Sequence, residues 1–319
     1  MKNLPKIIVI LGPTSSGKSD LAVEIAQYIN KNKKNFNLNG AEIISADSRQ
    51  VYKNLDIGSG KVKNTATPKE KQNNLYIYKK IPHHLIDIVS PQKTFSVAKF
   101  QKLGTNIIKD LIKKNKLPIV CGGTGLYIDS LIYQSSFPKV IPNPKLRKEL
   151  EKKSIQELFE TLKKLDSQRA KNIDPKNPRR LIRALEIIIT TGQPISSISQ
   201  KSAYSILKIG INLDKKKLAH NISQRIKKMI KTGLIQETKN LKTKNKLSWK
   251  KIESFGFEYK IPSDYLRNKI SEDDIFYNLV RDNNHYVKRQ ITWWKKDQEI
   301  NWTSDNQKAL QLTKYFLAK

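Results

Sequence analysis

The chain is poor in cysteine, in acidic side chains and in long apolar runs, and each shortage excludes something. Cys121 is the one cysteine in 319 residues, which excludes a disulfide framework and any multi-cysteine zinc site and fits a reducing cytosol. No stretch approaches the ~18 apolar residues of a membrane span, so no membrane association is expected. With a first strand expected from Ile7, no cleavable signal segment is expected ahead of it. Acidic residues number 28 against 61 basic ones, a formal charge of +33 at neutral pH. So positive a surface favours a polyanionic partner, nucleic acid first. A compositional alternative stands beside it. Lys, Asn and Ile are abundant together, as in an AT-rich coding sequence, and part of the charge is then solvated lysine without a partner. Hydrophobic residues make up only 38%, yet they gather into clear runs, so a folded chain is expected.

What the chain does have is concentrated near its start. Residues 7–11 are apolar and mostly β-branched, the pattern of a strand buried on both faces. Gly12-Pro13-Thr14-Ser15-Ser16-Gly17-Lys18-Ser19 then fits G-x-x-x-x-G-K-[ST], and residues 20–28 follow with helical apolar spacing. Strand, glycine loop, Lys-Ser and helix are the parts of a P-loop in their required order. Loop N–H groups and the positive end of the helix dipole bind phosphate oxygens. Lys18 neutralises phosphate charge, and the Ser19 hydroxyl is placed for a magnesium ion. This loop binds a pyrophosphate or polyphosphate without saying which.

Further strands are expected at 41–46, 83–89, 117–121 and 204–213, with helices between them at 95–114 and from 126. Residues 30–40 and 64–74 are polar loops, and 51–61 holds a short helix and then a glycine loop. Such alternation predicts an α/β fold, a parallel sheet with helices on both faces. Residues 137–144, rich in proline, read as a linker, and 143–171 is charged and helical. An all-helical insertion therefore separates the fourth and fifth strands. The expected division is a core of 1–137 and 178–319 and an insertion of 138–177. From Lys215 on, only helix and loop are expected.

Ligands of open α/β sheets sit at the carboxyl ends of the strands. The P-loop, Asp47-Ser48-Arg49-Gln50 and Gly122-Gly123-Thr124-Gly125 occupy three such ends and should converge on one cleft. Asp47 suits three roles: magnesium ligand, general base or helix cap. Gly122-Gly123 is a tight turn with a usable Thr124 hydroxyl beside it. Asn177-Pro178-Arg179-Arg180-Leu181-Ile182-Arg183 puts three arginines at a helix start, where cations oppose the dipole, so either an anionic partner or a solvated basic face follows. His83 and His84 lack a companion ligand cluster and read as structural. Lys288-Arg289-Gln290 precedes Trp293 and Trp294, which suits phosphate contact with stacking or plain core anchoring.

With these stretches in hand, nearly the whole chain resembles the bacterial tRNA dimethylallyltransferases (tRNA isopentenyltransferases), a P-loop NTPase-like fold. The resemblance rests on G-P-T-S-S-G-K-S, I-I-S-A-D-S-R-Q-V-Y from Ile43, L-D-I-G from Leu55, P-H-H-L-I-D from Pro82, G-G-T-G-L-Y-I from Gly122, N-P-R-R-L-I-R-A-L-E from Asn177, T-G-Q-P-I-S from Thr191 and K-R-Q-I-T-W from Lys288, in that order. It implies transfer of a dimethylallyl group from dimethylallyl diphosphate, with Mg²⁺, to N6 of the adenosine 3′ of the anticodon in tRNAs reading codons that begin with U. Asp47 is then the general base, and Lys18, Thr124 and Arg225 act at the leaving diphosphate. Ser48, Arg49, Gln50, Arg179, Arg180, Leu181, Ile182, Arg183, Phe255, Gly256, Phe257, Lys288, Arg289 and Gln290, with Asp47, match segments that touch the anticodon stem-loop. A cytoplasmic monomer is expected. The chain departs from the family pattern at Asn221 and Asn284, where Arg is expected, and at Phe257 and Glu258, which replace Tyr and a basic residue. The rival readings are a P-loop small-molecule kinase, a transferase acting on free adenylate and a non-catalytic nucleic-acid-binding module.

Overall fold

The computed structural model describes residues 4–72, 75–133, 137–138, 140–195 and 201–318. Ser196 of the T-G-Q-P-I-S stretch, and Asn73 and Asn74 of the second polar loop, lie outside them. Among the described residues β1 (Lys6–Leu11), β2 (Ala41–Ser45), β3 (Tyr76–Tyr78), β4 (Ile81–His84), β5 (Leu117–Gly122), β6 (Ser205–Ile211) and β7 (Ile300–Thr303) form one sheet in the order β3-β4-β2-β5-β1-β6-β7. Neighbours pair parallel except in the β3–β4 hairpin at one edge.

The unbroken apolar run of β1 has the expected cause. Ile8 and Ile10 face Leu21, Ile25 and Ile29 of the helix Lys18–Lys31, while Ile7, Val9 and Leu11 join Phe100, Tyr127 and Leu131 on the opposite face. Phe100 and Tyr127 stack with ring centroids 4.0 Å apart. The register then sets the site: Leu11 pairs with Gly122 and Ser45 with Cys121, so the loops that follow β1, β2 and β5 leave the sheet side by side. Beyond β6, the helices Lys215–Lys231, Leu234–Thr243, Phe257–Tyr265 and Glu272–Trp294 share a second core built on Ile222, Ile226, Leu234, Ile261, Ile275 and Leu279. Among the described residues no helix is long and apolar enough to cross a membrane.

Three expectations change. The strand expected at 83–89 stops at His84, because Leu85 and Asp87 take positive φ (62° and 56°), and it pairs with the unforeseen hairpin strand β3. Residues 51–61 form turns rather than a short helix, tied by a Tyr52–Val89 bridge. The edge strand β7, only I-N-W-T, lies in a region read as helix and loop. It pairs with β6, whose buried Lys208 donates to Tyr133 Oη (2.6 Å), Asp297 Oδ2 (2.7 Å) and Glu299 Oε2 (2.8 Å) and so fixes the turn ahead of β7.

The helical insertion is a compact unit of its own, Ser135–Lys201, and is longer than the expected 138–177. The reason is packing. In the helix Pro178–Thr191, the apolar face of Leu181, Leu185 and Ile188 closes on Leu158 and Leu162 of the helix Ile155–Leu165, so the arginine-bearing helix belongs to this unit. Its polar centre is Glu186, which is 0% exposed and accepts from Asn143 N–H (2.7 Å), Arg147 Nε (2.8 Å), Arg147 Nη2 (2.7 Å) and Arg183 Nη1 (2.5 Å). Burial pushes this carboxyl up, but the hydrogen bonds from Arg147, Arg183 and Asn143 outweigh it and hold the pKa at about 2.

A carboxylate held below its ordinary 4.5 stabilises the unit above that value and loses the effect as pH falls toward about 2. Replacing Glu186 by Ala strands two guanidinium groups and a backbone N–H at a cost of about 1–3 kcal/mol. Protection factors of the amides in 143–191, with the intrinsic pH dependence of exchange divided out, should fall accordingly, and in the native protein they should fall on acidification through that range. Unchanged protection in both cases contradicts the assignment.

Candidate active site

The loop after β1 leaves hydrogen-bond donors open. Gly17, at φ 91°, is the N-cap of the helix Lys18–Lys31, and no side chain caps that helix. Its first N–H groups are therefore left for a ligand. Ser15 Oγ and Ser16 Oγ are buried without a hydrogen-bond partner among the described residues, a second sign of a cradle shaped for acceptor oxygens. Lys18 Nζ donates to Pro13 O at 2.6 Å. Burial pulls its pKa down to about 8, opposed by Cys121 and then assisted by Arg225, with Asp47 pulling back up.

Three side chains from the later helices pin this loop. Gln290 Oε1 accepts from Thr14 N–H at 2.9 Å, and its Nε2 donates to Gly123 O at 2.8 Å, so one amide joins the β1 and β5 loops. Arg225 Nη1 donates to Thr14 Oγ1, and Asn221 Nδ2 donates to Ser15 O at 3.3 Å.

The β2 end supplies the carboxylate. Thr124 N–H donates to Ala46 O and Ser48 N–H to Thr124 Oγ1, both at 3.2 Å, which locks the β2 and β5 loops together. Asp47 Oδ1 accepts from Arg49 N–H (2.8 Å) and Gln50 N–H (3.3 Å), leaving Oδ2 outside both bonds. No helix follows Asp47, so the helix-cap reading gives way to a carboxylate that ties its own turn. The carboxylate nonetheless lines a cavity of about 680 Å³, together with Lys18, Ser19, Thr124, Arg225 and Arg289. All three strand ends converge there as expected.

Ser48, Arg49, Gln50, Gly256 and Phe257 line the same cavity. Other expected contacts fall elsewhere. Phe255 is 1% exposed and packs on Tyr52 and Tyr259, and Leu181 is 0% exposed in the core of the helical unit, so neither side chain is free to touch a ligand. Ile182 packs against that same core, Arg183 is engaged by Glu186 and by Val140 O, and Arg179 and Arg180 are exposed on the unit. Gln290 is buried in its two loop bonds, Lys288 is exposed and Arg289 lies over the Tyr286 ring (5.6 Å). Trp294 is a core anchor, while Trp293 donates to Asp129 Oδ2 at 2.9 Å. His83 and His84 bond to Ile81 O and Glu42, in line with a structural role.

Two cavity groups escaped the motif reading. Tyr286, one helical turn ahead of Gln290, bonds to Thr124, and burial, followed by Asp47, pushes its hydroxyl up to about 12. Glu258, noted only as a charge reversal, lines the cavity beside Asp20 and Asp47. Burial pushes it up to about 7 despite the pull of Arg225 and Arg49. The spacing from Tyr286 to Gln290 is the one signal that both face inward.

Known proteins share this frame. The IPP transferase family profile matches residues 50–297. A tRNA dimethylallyltransferase of Acetivibrio thermocellus is 38% identical, covering 99% of this chain and 98% of its own. The crystal structure of the tRNA isopentenylpyrophosphate transferase from Bacillus halodurans is 33% identical at a TM-score of 0.67, covering 98% of this chain and 95% of its own. A eukaryotic dimethylallyltransferase, solved acting on tRNA, is 26% identical at a TM-score of 0.76, covering 98% and 80%. With its P-loop-like sheet, a profile match over most of its own length and near-full coverage of these bacterial relatives, the chain belongs to the IPP transferase family.

Proposed function

We propose that the protein transfers a dimethylallyl group from dimethylallyl diphosphate to N6 of the adenosine 3′ of the anticodon, in tRNAs reading codons that begin with U. The observation that carries this reading is the single cavity that joins an uncapped, lysine-bearing anion cradle to the carboxylate of Asp47. Relatives bearing the transferase name supply the substrate class. The positive balance of the chain, with Arg179, Arg180 and Lys288 exposed, suits a phosphate backbone.

The N6 lone pair attacks C1 of the dimethylallyl group, the C1–O bond breaks, and its electron pair leaves with the diphosphate. N6 must lose a proton as the new C–N bond forms, and Asp47 Oδ2 takes it while Oδ1 stays fixed by Arg49 and Gln50 N–H groups. Charge grows on the leaving diphosphate, where the loop N–H groups, Lys18 and Arg225 meet it. Thr124, held by Ser48 and Tyr286, orients the reacting groups between the two. An adenine inside an anticodon loop reaches such a cavity only by leaving its stack.

The residues present would suit a magnesium ion, with Ser19 holding it beside the donor's phosphate oxygens. Among the described residues no cluster of three His, Cys, Asp or Glu side chains forms a cage. A hydroxyl such as Ser19 plus phosphate oxygens is the donor set that Mg²⁺ commonly takes. The Ser15 and Ser16 hydroxyls, partnerless among the described residues, support a cradle with oxygen-rich contents. When bound, the ion neutralises charge on the diphosphate.

Lys18→Ala and Ser19→Ala should each cut tRNA prenylation strongly, by at least about tenfold, whereas wild-type rates in both would remove this loop from donor binding. Asp47→Asn keeps an oxygen for the Arg49 and Gln50 N–H groups but cannot accept a proton. Its turnover should fall by ~10²–10⁴ with tRNA affinity little changed, and a rate within a few-fold of wild type leaves Asp47 only its role in tying that turn. A pH series isolates Glu258, which is neutral below its pKa of about 7 and negative above it. Wild type and Glu258→Gln should therefore bind pyrophosphate alike in mild acid, and the Gln variant should bind more tightly above neutrality. A ratio of the two affinities that stays constant with pH contradicts this.

A further inference from the structure

The L-D-I-G stretch is explained neither by the cradle nor by the base. Leu55 is buried, and the backbone that follows bends away from the sheet into the turn 56–61, closed by Gly60 N–H to Ile57 O (3.0 Å) and Lys61 N–H to Asp56 O (3.0 Å). Three successive N–H groups of this turn point at one side chain. Glu237 Oε2 accepts from Asp56 N–H (2.9 Å) and Ile57 N–H (2.8 Å), and Oε1 accepts from Gly58 N–H at 3.0 Å. A fourth donor, the hydroxyl of the fully buried Tyr259, reaches Oε1 at 2.9 Å. Four donors on one carboxylate demand an acceptor-only group, which neither an amide nor a hydroxyl provides.

The held turn ends against the active site. Gly60 sits at φ 62°, and a methyl group on its α-carbon would lie 2.5 Å from Arg225 Nη2 and 3.1 Å from Cζ. The Arg225 guanidinium thus lies across the backbone of Gly60, while its Nη1 donates to Thr14 Oγ1 in the cradle. Gly60 O also accepts from Gln50 Nε2 (3.4 Å), in the turn that orients Asp47. From Glu237 to Arg225 the contacts are continuous, and Glu237 does not line the cavity itself.

We infer that Glu237 is a positioning residue of the transfer reaction. By gathering the N–H groups of 56–58 it seats the turn whose Gly60 backs Arg225, and so aims that guanidinium at the leaving diphosphate. The inference rests on the donor-site reading above. Misplacing a catalytic group by about 1 Å is worth roughly 10²-fold, so Glu237→Gln should lower kcat/KM for dimethylallyl diphosphate by about 10- to 100-fold. Inorganic pyrophosphate should bind more weakly by a similar factor, with tRNA affinity unchanged. Gly60→Ala, which displaces the guanidinium directly, should reproduce that pattern with Glu237 intact.

A double-mutant cycle reads the route. If Glu237 acts through Arg225, then Arg225→Ala and Glu237→Gln together lose about as much pyrophosphate affinity as Arg225→Ala alone. A protein merely loosened by the Gln substitution would show independent, multiplying losses and a weakened hold on tRNA. The inference is overturned by multiplying losses, or by wild-type kinetics in both Glu237→Gln and Gly60→Ala. A wild-type chain that fails to bind pyrophosphate overturns the donor-site reading and this inference together. One that binds it, with multiplying losses in the cycle, overturns this inference alone.

Discussion

The helix Lys18–Lys31 begins without a side-chain cap, and most of the site follows from that. A helix start leaves its first N–H groups without partners, and ordinary helices answer with Ser, Thr, Asp or Asn at the cap. Other helices of this chain do so: Ser96, Ser154, Asn177 and Ser271 each accept an N–H at their own helix start. Here the cap position is Gly17, with two partnerless serine hydroxyls beside it. On the proposed reading an anion supplies what is missing, and β1, buried on both faces, holds the loop at the centre of the sheet.

Around that deficit the later helices act as a clamp. Gln290, Asn221 and Arg225 come from segments more than two hundred residues along the chain, and each bonds to the backbone or side chain of 14–15. Cations and carboxyls are balanced within one cavity. Burial draws the Lys18 pKa down to about 8 and pushes Glu258 up to about 7, Arg225 and Arg289 line the same walls, and Asp47 is held by two N–H groups. A diphosphate entering such a space meets strong attraction at one end, and a proton acceptor stands within the same walls.

Much of this was legible in the order of residues. The cradle, the convergence of the β2 and β5 loops and the helical insertion all follow from local patterns: a buried strand, a glycine loop, a break in strand–helix alternation. What stayed hidden depends on distant packing. Gln290 resembled a nucleic-acid contact because it follows Lys288 and Arg289, yet the helix turns it inward to join two loops. Leu181 and Phe255 lie in motifs that resemble recognition segments, but the one sits on the apolar face of its helix and the other in a turn between two helices, and both go to cores. The expected boundary at 177 falls short because the apolar face of Pro178–Thr191 packs on Ile155–Leu165, a pairing that no local pattern shows. Glu237 had no local signal, since its partners are backbone N–H groups far away in the chain. Strand β7 is too short for its four residues to show a period.

The central claim is that the anion cradle and Asp47 serve one transfer, from a prenyl diphosphate to an adenosine in tRNA. The most direct measurement is mass analysis of nuclease-digested tRNA after incubation with the protein, Mg²⁺ and dimethylallyl diphosphate, alongside a parallel sample given ATP and another given free adenylate as acceptor. The account predicts one adenosine per susceptible tRNA heavier by a single dimethylallyl group, located 3′ of the anticodon, with pyrophosphate released in equal amount. Unmodified tRNA together with phosphoryl transfer from ATP, or prenylation of free adenylate alone, would contradict it.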